Sequence, residues 1–370
     1  MVKRILFLFS DTGGGHRAAS NAIIEALDQN YPGQFQTTMV DFLRNYSPPP
    51  LRNSPEIYPS LSRIKGAWKF SFEAANGPRR SRALSQITYP YLRHWLVKLI
   101  DENPADLIIS LHPISGAVVP RVIRGKSIPF FTVVTDLITT HAFWYSPGAD
   151  LIILPTEQAR NRGIRLGADP QIMRVIGQPV SPAFAAITES KTQLRPELGW
   201  SQDNPVVLLI GGGDGLGPLR RVVSAINQAE LPITLAVVCG RNQALLNDLG
   251  ELDWKIPYHL YGFTTEMPRL MRAADIIVTK AGSETISEAF ISGLPIVMYA
   301  CLPGQEEGNI DYVLDAAAGL WAPTTERVVS AVRLLASNRA ILDQMSAASS
   351  SLAHPHAACH IADIIADQLV

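Results

Sequence analysis

Cysteine is scarce: Cys239, Cys301 and Cys359 are the whole complement of a 370-residue chain, and no two lie close together. An odd, scattered set of this kind argues against a disulfide framework and against a zinc site. Charge imbalance is also missing, with a net charge of −1 at pH 7, so no chain-wide attraction to nucleic acid follows. Long apolar runs are absent. The opening MVKRILFLFSDTGGGH breaks at Ser10 and Asp11, too early for a secretory leader, and nothing approaches the roughly 18 to 20 apolar residues of a membrane span. No Asp-x-Asp metal motif occurs. These gaps lead to the expectation of a cytoplasmic protein without a bound metal, with peripheral membrane contact left open.

What is present is an ordinary globular composition, 47% apolar and 18% charged, on a chain long enough for two domains. Short β-branched or Leu/Phe-rich runs at 4–10, 37–41, 106–111, 130–134, 151–155 and 173–176 alternate with helical patterns. Runs that are apolar on both faces read as strands of a parallel sheet. The pattern breaks at Gly177-Gln178-Pro179, and a polar segment over 181–204 is the expected linker. A second series follows at 205–211, 233–239, 258–261, 275–279 and 295–299, and from Thr324 onward the chain reads as helices only. The expected class is α/β: two doubly wound domains, 1–180 and 205–345, facing across a cleft. A helix in 346–370 is expected to pack back on the first domain.

Two glycine turns leave strands. The first, Asp11-Thr12-Gly13-Gly14-Gly15-His16, precedes a helix expected from about Arg17 to Asn30. Glycines there let backbone N–H groups meet a ligand at a positive helix end. The spacing Gly13, Gly15, Ala18 with Asp41 after the next strand also fits a loose dinucleotide fingerprint, so an NAD-dependent oxidoreductase stays open. His16, at a helix start that disfavours its protonated form, suits a neutral base. The second turn, Gly211 to Gly217 before Pro218, fits a phosphate cradle or simply a tight turn. Gly282 and Ser283 read as a further helix start aimed at an anion, and Glu288 follows as a ribose acceptor or a surface glutamate. Leu302-Pro303-Gly304-Gln305-Glu306-Glu307-Gly308-Asn309 packs amides and carboxylates between glycines. That mixture suits sugar hydroxyls, though it also suits a charged loop facing water.

The ordered set Gly13-Gly14-Gly15-His16, Thr132-Val133-Val134-Thr135-Asp136-Leu137, Gly211 to Gly217, Lys280-Ala281-Gly282, Glu288-Ala289 and Pro303-Gly304-Gln305-Glu306 resembles the monogalactosyldiacylglycerol synthases. It is also similar to the processive bacterial diacylglycerol glucosyltransferases. The resemblance covers about residues 4 to 321 and implies a GT-B fold, with the lipid acceptor on the first domain and a UDP-sugar on the second. It implies His16 as catalytic base with Asp136 beside it, and Gly14, Gly15 and His141 in the acceptor region. On the donor side it implies Gly213, Gly215, Gly217, Gly282 and Ser283 near the diphosphate. Gly262 and Phe263 would read the uracil with Arg241 close by, Glu288 would hold the ribose, and Gln305, Glu306 and Asn309 would face the sugar. The chain departs from the family pattern at Ser181, where a basic residue is usual, and at Ser283 and Glu284.

The implied reaction moves galactose or glucose from UDP to diacylglycerol, with inversion to a β-glycoside and no cofactor. It needs a base for the glycerol hydroxyl and donors for the departing diphosphate. A membrane surface is suggested between residues 61 and 100. There Arg63, Lys65, Lys69, Arg79, Arg80, Arg82, Arg93 and Lys98 interleave with Trp68, Phe70, Phe72, Tyr89, Tyr91 and Trp95. Trp68 and Trp95 are the candidate lipid contacts, with anionic lipid as partner and activator. The same composition fits a solvated face or RNA. Rival functions are a transferase acting on a polyprenyl-linked cell-wall precursor, the oxidoreductase above, and a non-catalytic nucleotide-sugar or lipid sensor.

Overall fold

A computed structural model describes residues 2–12, 14–54, 56–57, 66–211 and 218–369. Contacts divide the chain into two units. One is Met1–Pro182 with Pro303–Gln305 and His356–Val370; the other is Ala183–Leu302 with Glu306–Pro355. Expectations resting on Gly13, Arg63, Lys65, Gly213, Gly215 and Gly217 lie outside the described residues.

The first unit is built on β1 (Lys3–Phe9), β2 (Phe35–Asp41), β3 (Leu107–Ser110), β4 (Phe130–Val133), β5 (Leu151–Leu154) and β6 (Met173–Val175). They form one sheet in the order β2-β1-β3-β4-β5-β6, every neighbouring pair parallel. Helices cover both faces. On one face the Gly15–Asn30 helix buries Ala19, Ala22, Ile23, Ala26 and Leu27, positions three and four apart that make a single apolar stripe. Its small side chains let the Ala357–Leu369 helix approach with Ala358, Ile361, Ala362 and Ile365 in the same core. On the other face the Pro78–Glu102 and Pro113–Val122 helices pack Leu92, Leu96, Leu99, Val118 and Val119 against Leu6, Leu8 and Ile108. The strand order reverses between β1 and β3. The carboxyl ends of those two strands, Ser10 to His16 and Leu111-His112, are therefore where a doubly wound sheet leaves room for a ligand.

The second unit holds β7 (Val206–Ile210), β8 (Thr234–Val238), β9 (Tyr258–Tyr261), β10 (Ile276–Lys280), β11 (Ile296–Ala300) and β12 (Gly319–Trp321). Their order, β12-β11-β10-β7-β8-β9, is that of the dinucleotide-binding Rossmann sheet, with the reversal between β7 and β10. Strand β12 is an addition to the expected set. Its Gly319 weakens it as a strand signal, yet a Cβ there would stand 2.2 Å from the carbonyl oxygen of Ile296. Only glycine fits that close to β11.

The segment expected as a linker carries two short helices, Ala183–Ala186 and Lys191–Glu197. Arg195 is the reason it is held. Its guanidinium donates to the carbonyl of Ala273 at 3.0 Å and to the carboxylate of Asp275. Lys191 reaches the same carboxylate at 2.9 Å. A polar, charged stretch thus conceals a buried ion cluster.

Candidate active site

His16 lies in the first turn of the Gly15–Asn30 helix, because the preceding Gly14 takes φ 78° and turns the chain off β1. Its Nδ1 is 2.8 Å from the Thr135 hydroxyl, at the carboxyl end of β4. The ring meets His112 edge-on at 5.0 Å and Trp144 at 6.0 Å. Burial lowers the His16 pKa to about 4, against the opposing charge of Asp11. The ring is therefore neutral at physiological pH, able to take a proton. Asp11 itself is clasped by Arg17 through two bonds of 2.8 and 2.6 Å. Asp41 accepts from the N–H groups of Asp11 and Arg44 at 3.2 and 3.1 Å, so the acidic residue of the dinucleotide alternative is engaged by the chain itself.

Next to Thr135, Asp136 is buried with both oxygens occupied. Trp144 Nε1 donates to Oδ2 at 2.6 Å, and Gln305 Nε2 donates to Oδ1 at 2.8 Å. Burial raises its pKa, and these two bonds, a further one from the backbone of His141 and the charge of Arg162 pull it back. Asp136 therefore anchors Gln305 rather than standing open. His141 is also buried, and its pKa is brought down to about 4 chiefly by burial. Its Nδ1 caps the Ala142–Tyr145 turn by accepting from Phe143 N–H at 3.1 Å, and its ring meets Phe72 at 5.1 Å. His112, a lone histidine before Pro113 with no motif around it, joins His16 here without a signal in the sequence.

In the second unit Gly282 caps the Ser283–Ile291 helix, whose first N–H groups follow the carboxyl end of β10. Glu306 accepts from Leu302 N–H at 2.6 Å, and its other oxygen approaches to 3.7 Å of the position a Gly282 Cβ would take. Asn309 is 1% exposed and turns inward, donating to the carbonyl of Ala281 at 2.8 Å and toward Ser283 at 3.4 Å. It braces the helix start and does not present its amide outward. Burial, then the charge of Glu284 one turn earlier, pushes the Glu288 carboxyl well above the usual range. After β9, Gly262 backs onto Leu246, and Phe263 is 63% exposed with the Arg241 guanidinium 4.9 Å over its ring. Ser181 donates to Glu25 at 2.6 Å.

A 670 Å³ pocket in the first unit includes Arg82, Arg121, Arg124 and Lys126 in its lining, with Asp150 as its one acid. Asp150 accepts from Phe130 N–H at 2.7 Å. On the Pro78–Glu102 helix bordering this pocket, Leu84, Ile87 and Tyr91 are exposed, as is Phe70 on the Ala67–Ala75 helix. Trp68 and Trp95 are half-buried, and the Arg52 guanidinium lies 5.2 Å over Trp95. The outward apolar surface is thus made by Phe70, Leu84, Ile87 and Tyr91 more than by the two tryptophans. Among the described residues, no helix is long and apolar enough to cross a membrane.

Comparison with known proteins follows this division. A family model described as monogalactosyldiacylglycerol synthase matches residues 16–180, and one described as the glycosyltransferase family 28 C-terminal domain matches 206–361. A probable chloroplastic monogalactosyldiacylglycerol synthase of Nicotiana tabacum is 36% identical over 341 residues, 89% of this chain and 64% of that one. The Spinacia oleracea enzyme is 35% identical, covering 89% and 65%. Monogalactosyldiacylglycerol synthase 3 of Arabidopsis thaliana is 34% identical over 379 residues, covering 99% and 81%. The chain thus spans a little under two thirds of the first two relatives. Among solved structures, Acinetobacter baumannii MurG aligns with a TM-score of 0.62 at 17% identity, covering 99% of both chains. Staphylococcus aureus MnaA with UDP gives 0.63 at 16%, covering 100% and 98%. At such identities the likeness shows the fold alone, which is GT-B.

Proposed function

The chain belongs to the monogalactosyldiacylglycerol synthase family, and from that premise we propose that it transfers a hexose from a UDP-sugar to the free hydroxyl of diacylglycerol, inverting to a β-glycoside. The observation that carries the reading is His16: a neutral imidazole at the strand-order reversal of the first sheet, fixed by Thr135. Its base action removes the acceptor proton as the oxygen attacks the anomeric carbon. The donor groups belong to the second unit. Its Rossmann strand order and the helix start at Gly282 and Ser283 favour a nucleoside diphosphate, whose charge backbone N–H groups stabilise as it leaves. Phe263 and Gly262 suit the uracil, Glu288 the ribose, and Glu306 the hexose.

The lipid is reached from a membrane surface. Exposed Phe70, Leu84, Ile87 and Tyr91 beside Arg79, Arg80, Arg82 and Arg93 match an anionic interface, where each nearby cation contributes about 1 kcal/mol. The basic pocket suits an anionic headgroup. A peripheral position on the inner face of the cell membrane follows from this reading, whereas the plant relatives named above are chloroplastic by name.

The test is incubation with UDP-galactose and with UDP-glucose over diacylglycerol vesicles, with mass and anomer analysis of the lipids. A β-hexosyldiacylglycerol from either donor is expected; no hexose on the lipid from both would overturn the reading. His16→Ala is expected to lower kcat at least about 100-fold, the usual scale for losing a general base.

A further inference from the structure

Two imidazoles meet edge-on, 5.0 Å apart, at the strand-order reversal of the first sheet. What binds Nδ1 of each decides what its Nε2 can do, because a neutral imidazole carries a single proton. For His112 the answer is set by the backbone. Its Nδ1 accepts the N–H of Ile114 at 3.2 Å, capping the Pro113–Val122 helix. The ring proton must then sit on Nε2, which points at the Thr12 hydroxyl 3.4 Å away. His112 is a donor and is excluded as the base.

His16 has a side-chain oxygen at the same ring atom instead: the Thr135 hydroxyl, 2.8 Å from Nδ1. A hydroxyl can donate or accept. If it donated, the His16 proton would sit on Nε2 and the bare nitrogen would be blocked by Thr135. Only the opposite arrangement leaves a usable lone pair. We propose that Thr135 is the positioning residue of the transfer reaction, its oxygen accepting Nδ1–H of His16 so that Nε2 is held bare toward the acceptor. This rests on the transferase reading above. In the step itself, Nε2 takes the proton of the acceptor O–H, and that oxygen forms its bond to the anomeric carbon. The bond from that carbon to the UDP oxygen breaks, and its electron pair leaves on the diphosphate. The imidazolium then keeps Nδ1–H on Thr135, a bond that strengthens as the donor becomes charged.

The surroundings agree with such a role. Thr135 is 6% exposed at the end of β4, so its hydroxyl has a fixed place, and Trp144 and His112 limit rotation of the His16 ring. Burial keeps both imidazoles neutral, so tautomer rather than charge distinguishes them. Neighbouring Asp136 is tied to Trp144 and Gln305 and does not compete for the ring.

The experiment compares Thr135→Val, Thr135→Ala and Thr135→Ser with wild type and His16→Ala, measuring kcat and the KM for the UDP-sugar over diacylglycerol vesicles. Valine and alanine are expected to lower kcat by about tenfold to a hundredfold, the cost of a misoriented base. The donor KM should stay within about twofold, since no group that meets the donor is lost. Serine keeps the hydroxyl and should restore most of the turnover. Should the valine variant not fold, the alanine and serine pair asks the same question. Wild-type kcat in the alanine variant beside an inactive His16→Ala would overturn the role of Thr135 and leave the base in place. Serine no better than alanine, or a loss confined to KM, would overturn it as well. Wild-type turnover in His16→Ala would instead remove the base reading on which it rests.

Discussion

In the first unit three deeply placed imidazoles are neutral, whereas in the second the most enclosed ion is a carboxylate gripped by two cations. His16, His112 and His141 all have pKa values lowered chiefly by burial, and each spends Nδ1 on a nearby N–H or hydroxyl. Asp275 meets the same desolvation, which alone would raise its pKa. Lys191, the N–H of Val206 and Arg195 outweigh it and bring the carboxyl below its ordinary value. The contrast suits the two tasks proposed for the units. The base proposed at His16 must be neutral and proton-ready, and burial secures this in spite of the nearby Asp11. A unit proposed to hold its anion with backbone N–H groups needs its helices and strands fixed, and a buried ion cluster fixes them.

Acid should break this comparison first and by the largest amount. The unfolded histidines bind protons below pH 6.5, while the folded His16 and His141 resist until about 4. Stability is therefore full above 6.5 and declines as pH falls through that interval, by up to about 3 kcal/mol for each group. His112 adds to the loss in the same direction. In the second unit His259 and His354 are lowered by burial of a lesser degree. The Asp275 contribution has the carboxylate sign: present above 3.8 and lost only as pH falls through its lower folded value. Denaturant unfolding at pH 7 and pH 4.5, with segment-resolved hydrogen exchange, should show the first unit opening before the second. Simultaneous opening would remove the distinction.

The next effect belongs to the second unit. Arg195→Ala strips one cation from a carboxylate that is only 6% exposed. Removing one partner of a buried pair typically costs 3 to 5 kcal/mol, and about 3 is expected here because Lys191 and the Val206 N–H remain. Urea unfolding measures it. A cost under about 1 kcal/mol would mean that Lys191 alone carries the cluster.

The sheets were legible because their strands are continuous Val, Ile, Leu and Phe runs, a pattern that depends on neither partner nor distance. The reach of sequence reading ended where a residue's meaning lies far along the chain. Arg195 reads as one more charge in a polar stretch, since Asp275 is 80 residues away. Asp136 reads as a catalytic neighbour of His16, since the amide of Gln305 that occupies it is 169 residues away. Asn309 reads as a sugar contact because it follows Gln305 and Glu306, yet helix phase turns it inward to Ala281. His16 stands out as a candidate for the opposite reason: three glycines and a helix start surround it locally. His112 has no such context, and Thr135 lies within a motif without a role of its own, because a hydroxyl shows its use only beside the ring it meets. Strand β12 was hidden by Gly319, whose absent side chain is the condition for its pairing with β11.

The smallest effect sharpens the claim that the donor side works through backbone. Arg241 lies over the exposed ring of Phe263 with its guanidinium 4.9 Å from the centroid, an arrangement worth about 0.5 to 1 kcal/mol at an exposed site. If its part is to hold Phe263 ready for the uracil, Arg241→Ala should raise the Kd for UDP by only about two- to fivefold. Phe263→Ala should do more, because it removes the ring itself, and the double variant should cost little beyond Phe263→Ala, since Arg241 would act through that ring. Titration calorimetry with UDP measures all three. A loss above about fiftyfold for Arg241→Ala alone would mean that the guanidinium meets the diphosphate directly. The second unit would then neutralise its anion with a side-chain charge, and the division between a side-chain site and a backbone site would fall.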